Sequence, residues 1–235
     1  MQAPGDLMGY DRAITLFSPD GRILQVEYAR KTVAQGSAAV GLVGKDSVVF
    51  VADKRLPEYD KLIVPESIEK IFKIDEHIAA AISGMIADGR ALIEKAQTNA
   101  QQYKVTYNED ADLLLIIKGI STEMQVLTQY GGARPYGVSI LFGGIKSGKP
   151  VLYMLEPSGI FFQYKAVAIG ENAEAINKPL GEDYKPDMSQ EELIKLGIKS
   201  MKAAGIKLSH ERFDIGILSS SGFKKLDKEE ATGYL

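Results

Sequence analysis

The chain has 235 residues and a mass of 25.6 kDa, enough to bury the core of one large domain, and its 45% hydrophobic and 25% charged residues are ordinary globular values. A net charge of −3 gives no electrostatic basis for binding nucleic acid. The absence of cysteine from the sequence excludes disulfides, cysteine-ligated zinc and thiol catalysis.

The two histidines, His77 and His210, are too few and too separated for a histidine-based metal cluster, so one strand-edge and one loop imidazole are expected. No basic segment followed by an apolar stretch marks a secretory signal. The longest apolar runs, around residues 78–82 and 113–117, are far too short to span a membrane. We therefore expect a cytoplasmic protein with no cofactor, nucleic-acid or membrane site.

A short helix is predicted ahead of the main domain. Ser18 is expected to be its N-cap and Pro19 its first helical residue. Apolar residues then recur at near-helical spacing up to Gly36, the expected C-cap. These residues are Ile23, Val26, Ala29 and Val33.

The remaining elements follow from apolar periodicity and turn residues. We expect strands at 38–43 and 47–52 around a hairpin turn, strands at 71–74 and 78–83, helices at 85–103 and 110–128, strands at 136–145, 151–156 and 160–168, helices at 171–181 and 189–204, a strand at 212–218 and a helix at 227–234. Strands and helix pairs in this order favour a layered α+β domain over alternating βαβ units.

Three local patterns resemble catalytic or nucleotide-binding sites but are rejected. Residues 143–149 have the spacing of a phosphate-binding loop, but Pro150 replaces the required hydroxyl and no helix follows, so a turn between strands is predicted. The serines at 219–221 lack a G-x-S-x-G elbow and are expected in a solvated turn. Carboxylate pairs fall at helix starts, where they complement the helix dipole, at 191–192 and 229–230.

The segment from residue 10 to residue 30 is the most specific pattern, with the runs YDRAIT, FSPDGR and QVEYAR. Further motifs are SIEKI at 67–71, SGMIAD at 83–88, TQYGGARPYGVS at 128–139, EPSG at 156–159 and KAVAIG at 165–170. Together they span essentially the whole chain, which resembles the α-subunits of the 20S proteasome, most of all the archaeal type.

The resemblance implies the four-layer αββα sandwich of the N-terminal-nucleophile hydrolases, in the α+β class. Residues 1–36 would form an N-terminal gate segment and leading helix, and residues 37–235 the sandwich. Seven such subunits would form an outer ring stacked on rings of β-subunits. That ring would admit unfolded proteins and bind the C-terminal tails of an ATPase activator.

The resemblance also assigns gate residues. Tyr10, Asp11, Pro19 and Tyr28 match the family's cluster that holds the gate open. Tyrosine suits such a cluster because it combines a rigid contact area with a hydroxyl that can hydrogen-bond a neighbouring Asp11. The alternative is that Tyr10 and Tyr28 are ordinary core or interface aromatics.

Two further sites are implied. Lys70 resembles the lysine that pairs with an activator's C-terminal carboxylate, in a pocket lined by Gly36 and Met85; without the resemblance it would be taken for an exposed lysine. The second site is a loop in which paired glycines allow a sharp turn. The tyrosines of its seven copies would narrow the axial channel beneath the gate, so that only unfolded chain passes. Its residues are Tyr130, Gly131 and Gly132.

Ser37, Asp53 and Lys70 match the threonine nucleophile, acid and lysine of the proteolytic β-subunits. An N-terminal nucleophile uses its own free amine as general base. The nitrogen of Ser37 is instead an amide bonded to Gly36, with 36 residues before it. No catalytic residue is therefore predicted. The alternative from another class is a hydrolase that cleaves itself before Ser37, and a third possibility is a scaffold ring without a protease partner.

Overall fold

The computed structural model describes residues 15–55, 62–209 and 211–235. Tyr10, Asp11 and His210 lie outside the described residues. The helices are α1 (Leu24–Gln35), α2 (Ile86–Tyr107), α3 (Leu113–Leu127), α4 (Ala173–Asp183), α5 (Gln190–Ala203) and α6 (Lys228–Thr232), with a short 3₁₀ helix at Pro65–Ser67. The strands are β1 (Ala39–Val43), β2 (Ser47–Asp53), β3 (Ile71–Asp75), β4 (Ile78–Gly84), β5 (Val138–Lys146), β6 (Lys149–Leu155), β7 (Phe161–Tyr164), β8 (Ala166–Ile169), β9 (Phe213–Ser219) and β10 (Gly222–Lys225).

Within the described residues, the strands form two antiparallel five-stranded sheets. Sheet A has the order β10-β9-β2-β1-β8, and sheet B has the order β3-β4-β5-β6-β7. Helices α2 and α3 cover the outer face of sheet B, and α4 and α5 cover that of sheet A. The predicted α+β class and four-layer αββα arrangement are confirmed.

The period-2 alternation of strand side chains explains the three apolar layers. In β2, Phe50 faces sheet B, whereas Val49 and Val51 face the helices. The apolar run at the start of α3 is explained in the same way, because Leu113, Ile116 and Ile117 are buried between α3 and sheet B. Asp112 begins this helix by accepting a hydrogen bond from the Leu114 amide at 2.8 Å.

Two predicted elements are wrong in detail, and one strand of the structure is absent from the prediction. Ser18 does not cap a helix: its carbonyl accepts from the Gly21 amide at 2.8 Å, so Ser18 and Pro19 form a turn and α1 begins at Leu24. The single strand expected at 160–168 is two strands, because the chain passes at Lys165 from sheet B to sheet A. The sequence predicts the turn at residues 219–221 but not the strand β10 that follows it.

Two expected turns are confirmed. Residues 44–46 join β1 to β2, and the glycine-rich loop rejected as a phosphate site joins β5 to β6. In that second turn Ser147 and Gly148 have φ angles of 49° and 77°, the left-handed pair that a two-residue hairpin turn requires. Among the helices of the described residues, none has both the length and the apolar character needed to cross a membrane.

Candidate functional site

The side chain of Lys70 lies at the centre of the site, between the two sheets. It is 1% exposed. Its ammonium donates to the Ser37 hydroxyl at 2.7 Å, to the Asp53 carbonyl at 3.1 Å and to the Ser37 carbonyl. The first two strands and the segment before β3 therefore bring together the residues that the sequence marks as a constellation.

Burial changes the acid–base chemistry of this lysine. Removal from water lowers the pKa of Lys70 from 10.5 to about 7, because the charged form loses its hydration. The nearby Asp53 charge opposes this fall in pKa, and the Arg55 charge adds to it. Lys70 is thus a lysine whose charge responds to pH near neutrality.

Asp53 is held by a different partner. Its carboxylate is completely buried and accepts from Arg212 Nε at 2.7 Å and Arg212 Nη2 at 3.1 Å, in a two-bond pairing. It also accepts from the Arg55 amide at 3.0 Å. Lys70 reaches the main-chain oxygen of Asp53, so the carboxylate acts on Lys70 only through its charge.

The main chain at Ser37 is packed on both sides. Ser83 Oγ donates to the Ser37 carbonyl at 2.8 Å, and the Glu171 amide donates to the Gly36 carbonyl at 2.8 Å. Gly36 ends α1 as expected, but with an ordinary φ of −69°. Glycine is needed there for space, since a Cβ would lie 2.3 Å from the Gly84 nitrogen.

The predicted pocket residues are connected through their neighbours, since Gly36 precedes Ser37, which Lys70 contacts. Gly36 packs on the residue before Met85, and the Met85 side chain is 39% exposed at the start of α2. The sequence pattern does not mark Arg55 as part of this region. Its exposed guanidinium pairs with Glu171 and donates to the Gln35 carbonyl at 3.3 Å, so it lies beside the same segment.

The loop at residues 130–132 projects away from the body. Tyr130 is 65% exposed, and a Cβ on Gly131 or Gly132 would touch nothing within 4 Å. Gly132 has a φ of 91°, which explains the glycine.

A buried carboxylate fixes the end of this loop. Asp88, in the first turn of α2, accepts from Arg134 Nη1 at 2.6 Å and Nη2 at 2.7 Å, and from the Gly137 amide at 2.8 Å. These bonds lower the pKa of Asp88, the Arg134 side chain being the main cause. Since the Met85 amide donates to the Gly137 carbonyl at 2.9 Å, the same backbone joins the loop to the pocket.

Comparison with known proteins agrees with this geometry. A family model described as "Proteasome subunit" matches residues 33–218, and a second model, for the N-terminal signature of A-type proteasome subunits, matches residues 10–31. A proteasome α-subunit of Methanosarcina acetivorans is 46% identical over 231 residues, covering 97% of this chain and 93% of the relative. One from Pyrococcus horikoshii is 48% identical over 229 residues, covering 97% and 87%.

The chain belongs to the proteasome α-subunit family. Its N-terminal signature covers the predicted gate residues. Of these, Pro19 lies in the turn ahead of α1, and Tyr28 is an exposed residue of α1 with the Lys31 ammonium 5.5 Å from its ring centre. Tyr28 is therefore not a core aromatic of the single chain.

Helix α1 links the N-terminal signature to the sandwich. Its buried residues Val26, Ala29 and Val33 lie on the face that packs against β4 and β5. The Arg30 guanidinium also pairs with Glu156 of the EPSG motif at 3.0 Å. The segment before Ser37 is thus an integral part of the packed domain from Leu24 onward.

Proposed function

We propose that this α-subunit of the 20S particle is non-catalytic, forms a seven-membered outer ring on rings of β-subunits, and controls the passage of unfolded proteins. In this proposal the β-subunits carry catalysis, and ATPase activators dock through their C-terminal tails. The particle works in the cytoplasm. The observation that carries the proposal is the packing around Ser37, whose nitrogen is an amide and whose carbonyl and hydroxyl are hydrogen-bonded to Lys70.

Proton chemistry argues against an N-terminal nucleophile at Ser37. An amide nitrogen has no basic lone pair, so the nitrogen of Ser37 cannot take the proton of its own hydroxyl. The neighbouring Gly36 is packed against Gly84, and its carbonyl accepts from the Glu171 amide, so the main chain before Ser37 is held in the folded domain. The packed helix α1 also argues against removal of residues 1–36, the proposed gate segment and leading helix of the 37–235 sandwich.

Docking is proposed in the pocket predicted at Lys70, Gly36 and Met85, with Arg55 beside it at the Gln35 carbonyl. A tail carboxylate there would be attracted by the Arg55 guanidinium and would favour the charged form of Lys70. Because the free Lys70 has a pKa of about 7, binding would take up a proton above that pH. Tail affinity is therefore expected to fall as pH rises, by up to about tenfold per pH unit above 7.

Control of passage is proposed for two segments. Tyr10, Asp11, Pro19 and Tyr28 would form the gate cluster, and the exposure of Tyr28 on α1 leaves its ring accessible to a neighbouring subunit. The loop at 130–132 would supply the narrow ring beneath the gate. Its exposed tyrosine and its firm anchor at Arg134 suit a fixed constriction.

A second candidate function is favoured by one observation. The Ser37 hydroxyl lies 2.7 Å from a lysine whose pKa is about 7, and a neutral lysine can act as the general base of a serine nucleophile. The chain would then be a self-processing or serine–lysine hydrolase. The buried position of Lys70 and the packed Gly36 weigh against it.

Co-expression with a cognate β-subunit separates the two functions. We expect a large peptidase whose activity survives Ser37→Ala in this chain and is lost when the β-subunit's N-terminal threonine is replaced. Intact mass should retain residues 2–36. A chain beginning at Ser37, or peptidase activity of this chain alone that Ser37→Ala removes, would contradict the proposal.

Docking is tested on the same particle with a peptide copy of the activator's C-terminal tail and its C-terminal amide. The free carboxylate should stimulate peptide hydrolysis and the amide should not. Lys70→Met should remove the stimulation without affecting assembly, whereas Lys195→Met on the far helix α5 should leave it unchanged. Equal stimulation of the wild type and Lys70→Met would refute the docking role.

A further inference from the structure

Three side chains near the turn between β3 and β4 have no part in the proposed function. Asp75 ends β3, and His77 lies in the turn just before β4. Asp110 belongs to the connection between α2 and α3. One possible ligand atom from each residue lies within 4.8 Å of the others. The fold thus brings an imidazole and two carboxylates together from two separate segments.

The tautomer of His77 follows from its backbone partner. Its Nε2 lies 2.9 Å from the carbonyl oxygen of Ala111, a completely buried residue. A carbonyl can only accept, so Nε2 carries a proton and donates it. In the neutral imidazole, Nδ1 then has a free lone pair. A backbone hydrogen bond on the other ring nitrogen is the usual support of a metal-ligating histidine.

Two of the residues in this cluster each have a buried acceptor without a donor among the described residues. Asp75 is 5% exposed, and its Oδ1 accepts from the Glu76 amide at 2.8 Å. Its Oδ2 is buried and has no hydrogen-bond partner among the residues that the structure describes, and the same holds for His77 Nδ1. Buried polar atoms of native proteins are almost always paired, so this pair of acceptors calls for a cation.

We propose that Asp75 Oδ2, His77 Nδ1 and the Asp110 carboxylate bind one divalent transition-metal ion, with Zn²⁺ as the ion that best suits them. One imidazole and two carboxylates are common zinc ligands, and a water would complete four-coordination. The two carboxylate charges balance the ion. Calcium and magnesium prefer sites built from more oxygen ligands, so the imidazole selects against them.

Binding requires one small rearrangement. Ligand atoms in a tetrahedral zinc site lie about 3.4 Å apart, given bond lengths of about 2.1 Å. The exposed Asp110 side chain must therefore turn inward and release the Lys104 ammonium, which it contacts at 2.7 Å. That ion pair lowers the pKa of Asp110 and raises that of Lys104. Lys104 is accordingly a competitor of the metal ion.

The metal would connect the β3–β4 turn of sheet B to the start of α3. Residues 75–77 and 108–112 are joined in this region through the His77–Ala111 hydrogen bond. A bound ion would add a second connection at the same point. Because an ion that binds only the folded chain stabilises it, metal should raise the unfolding temperature.

The test uses the full-length chain after treatment with a chelator. Calorimetric titration with ZnCl₂ at pH 7.5 should give one ion per chain, and Co²⁺ should give visible absorption bands of a four-coordinate site. Zinc at about one hundred times its Kd should raise Tm by about 5–10 °C. Magnesium at the same concentration should leave Tm unchanged.

Four variants make the test specific to this site. His77→Gln keeps a donor for the Ala111 carbonyl but lacks Nδ1, and should lower zinc affinity at least tenfold. Asp75→Asn should lower it similarly, because a neutral amide is a weaker zinc ligand than a carboxylate. Lys104→Ala should tighten zinc binding several-fold. His210→Gln, which changes the other imidazole of the sequence, should have no effect.

Two results would overturn the proposal. One is the absence of stoichiometric zinc binding by the wild-type chain, including the case in which His77 proves doubly protonated and paired with Asp75. The other is zinc binding that persists in His77→Gln and Asp75→Asn, or that disappears in His210→Gln. The expected rise in zinc affinity of Lys104→Ala cannot result from misfolding, because a misfolded chain would bind zinc at this site less tightly.

Discussion

Replacing Lys70 with methionine isolates the effect of burying a lysine beneath Ser37. Methionine has a similar length and no charge, so it fills the same space and avoids the cost of removing a charged group from water. It also leaves the carbonyls of Ser37 and Asp53 without their lysine donor. These two effects oppose each other in the absolute stability, so the informative quantity is the dependence of stability on pH.

The size of that dependence follows from the pKa of Lys70. Burial lowers it to about 7 in the folded chain, against 10.5 without burial. Between these pH values the unfolded chain binds more protons, so the free energy of unfolding of the wild type rises with pH. The expected rise is about 3 kcal/mol between pH 7 and pH 9.5. The Lys70→Met chain lacks this contribution.

Urea denaturation followed by circular dichroism at pH 7, 8, 9 and 9.5 would measure the difference. Protein concentration must be constant, because oligomerisation shifts apparent stability. We expect the wild type to gain about 3 kcal/mol over Lys70→Met across this range. Lys195→Met provides the control, since Lys195 is exposed on α5 and its pairing with Glu191 raises its pKa out of the range.

Parallel profiles for the wild type and Lys70→Met would refute the reasoning. They would mean that the Lys70 ammonium is hydrated or fully compensated by a charge in solution. A slope of opposite sign would indicate that Lys70 gains a carboxylate partner on folding. Either result would also remove the basis for pH-dependent docking of an activator tail.

Three other predictions follow from the same structure. Deleting residues 2–11 should raise basal peptide hydrolysis of the particle assembled with β-subunits, and unchanged hydrolysis would count against the gate. A double-mutant cycle of Asp88→Ala and Arg134→Ala should give a coupling of about 1–2 kcal/mol in the free energy of unfolding. This is less than for a fully buried pair, because the Arg134 side chain is half exposed. Additive effects of the two mutations would mean that the pair does not anchor the loop. Gly36→Ala should lower the free energy of unfolding by about 3 kcal/mol, because the alanine Cβ would lie 2.3 Å from the Gly84 nitrogen. A calorimetric Tm equal to that of the wild type would contradict the close packing of Gly36 on Gly84.

Local patterns in the sequence determine much of this protein. Apolar alternation and turn residues predict most strands and the two helix pairs, because side-chain period and turn geometry depend on neighbouring residues. The sequence alone also makes Ser37 an internal residue. The prediction of a single strand at 160–168 fails for a physical reason. The chain passes from one sheet to the other at Lys165, and the residues before and after Lys165 are largely apolar, so the sequence pattern shows no break there.

The contacts that define the site depend on tertiary structure. Asp53 pairs with Arg212, 159 residues away, and Asp88 with Arg134, 46 residues away, through strand register and sheet order that no local pattern encodes. A lysine in a polar motif is expected at the surface. Lys70 is buried because two sheets close over it, and its lowered pKa exists only once they have packed.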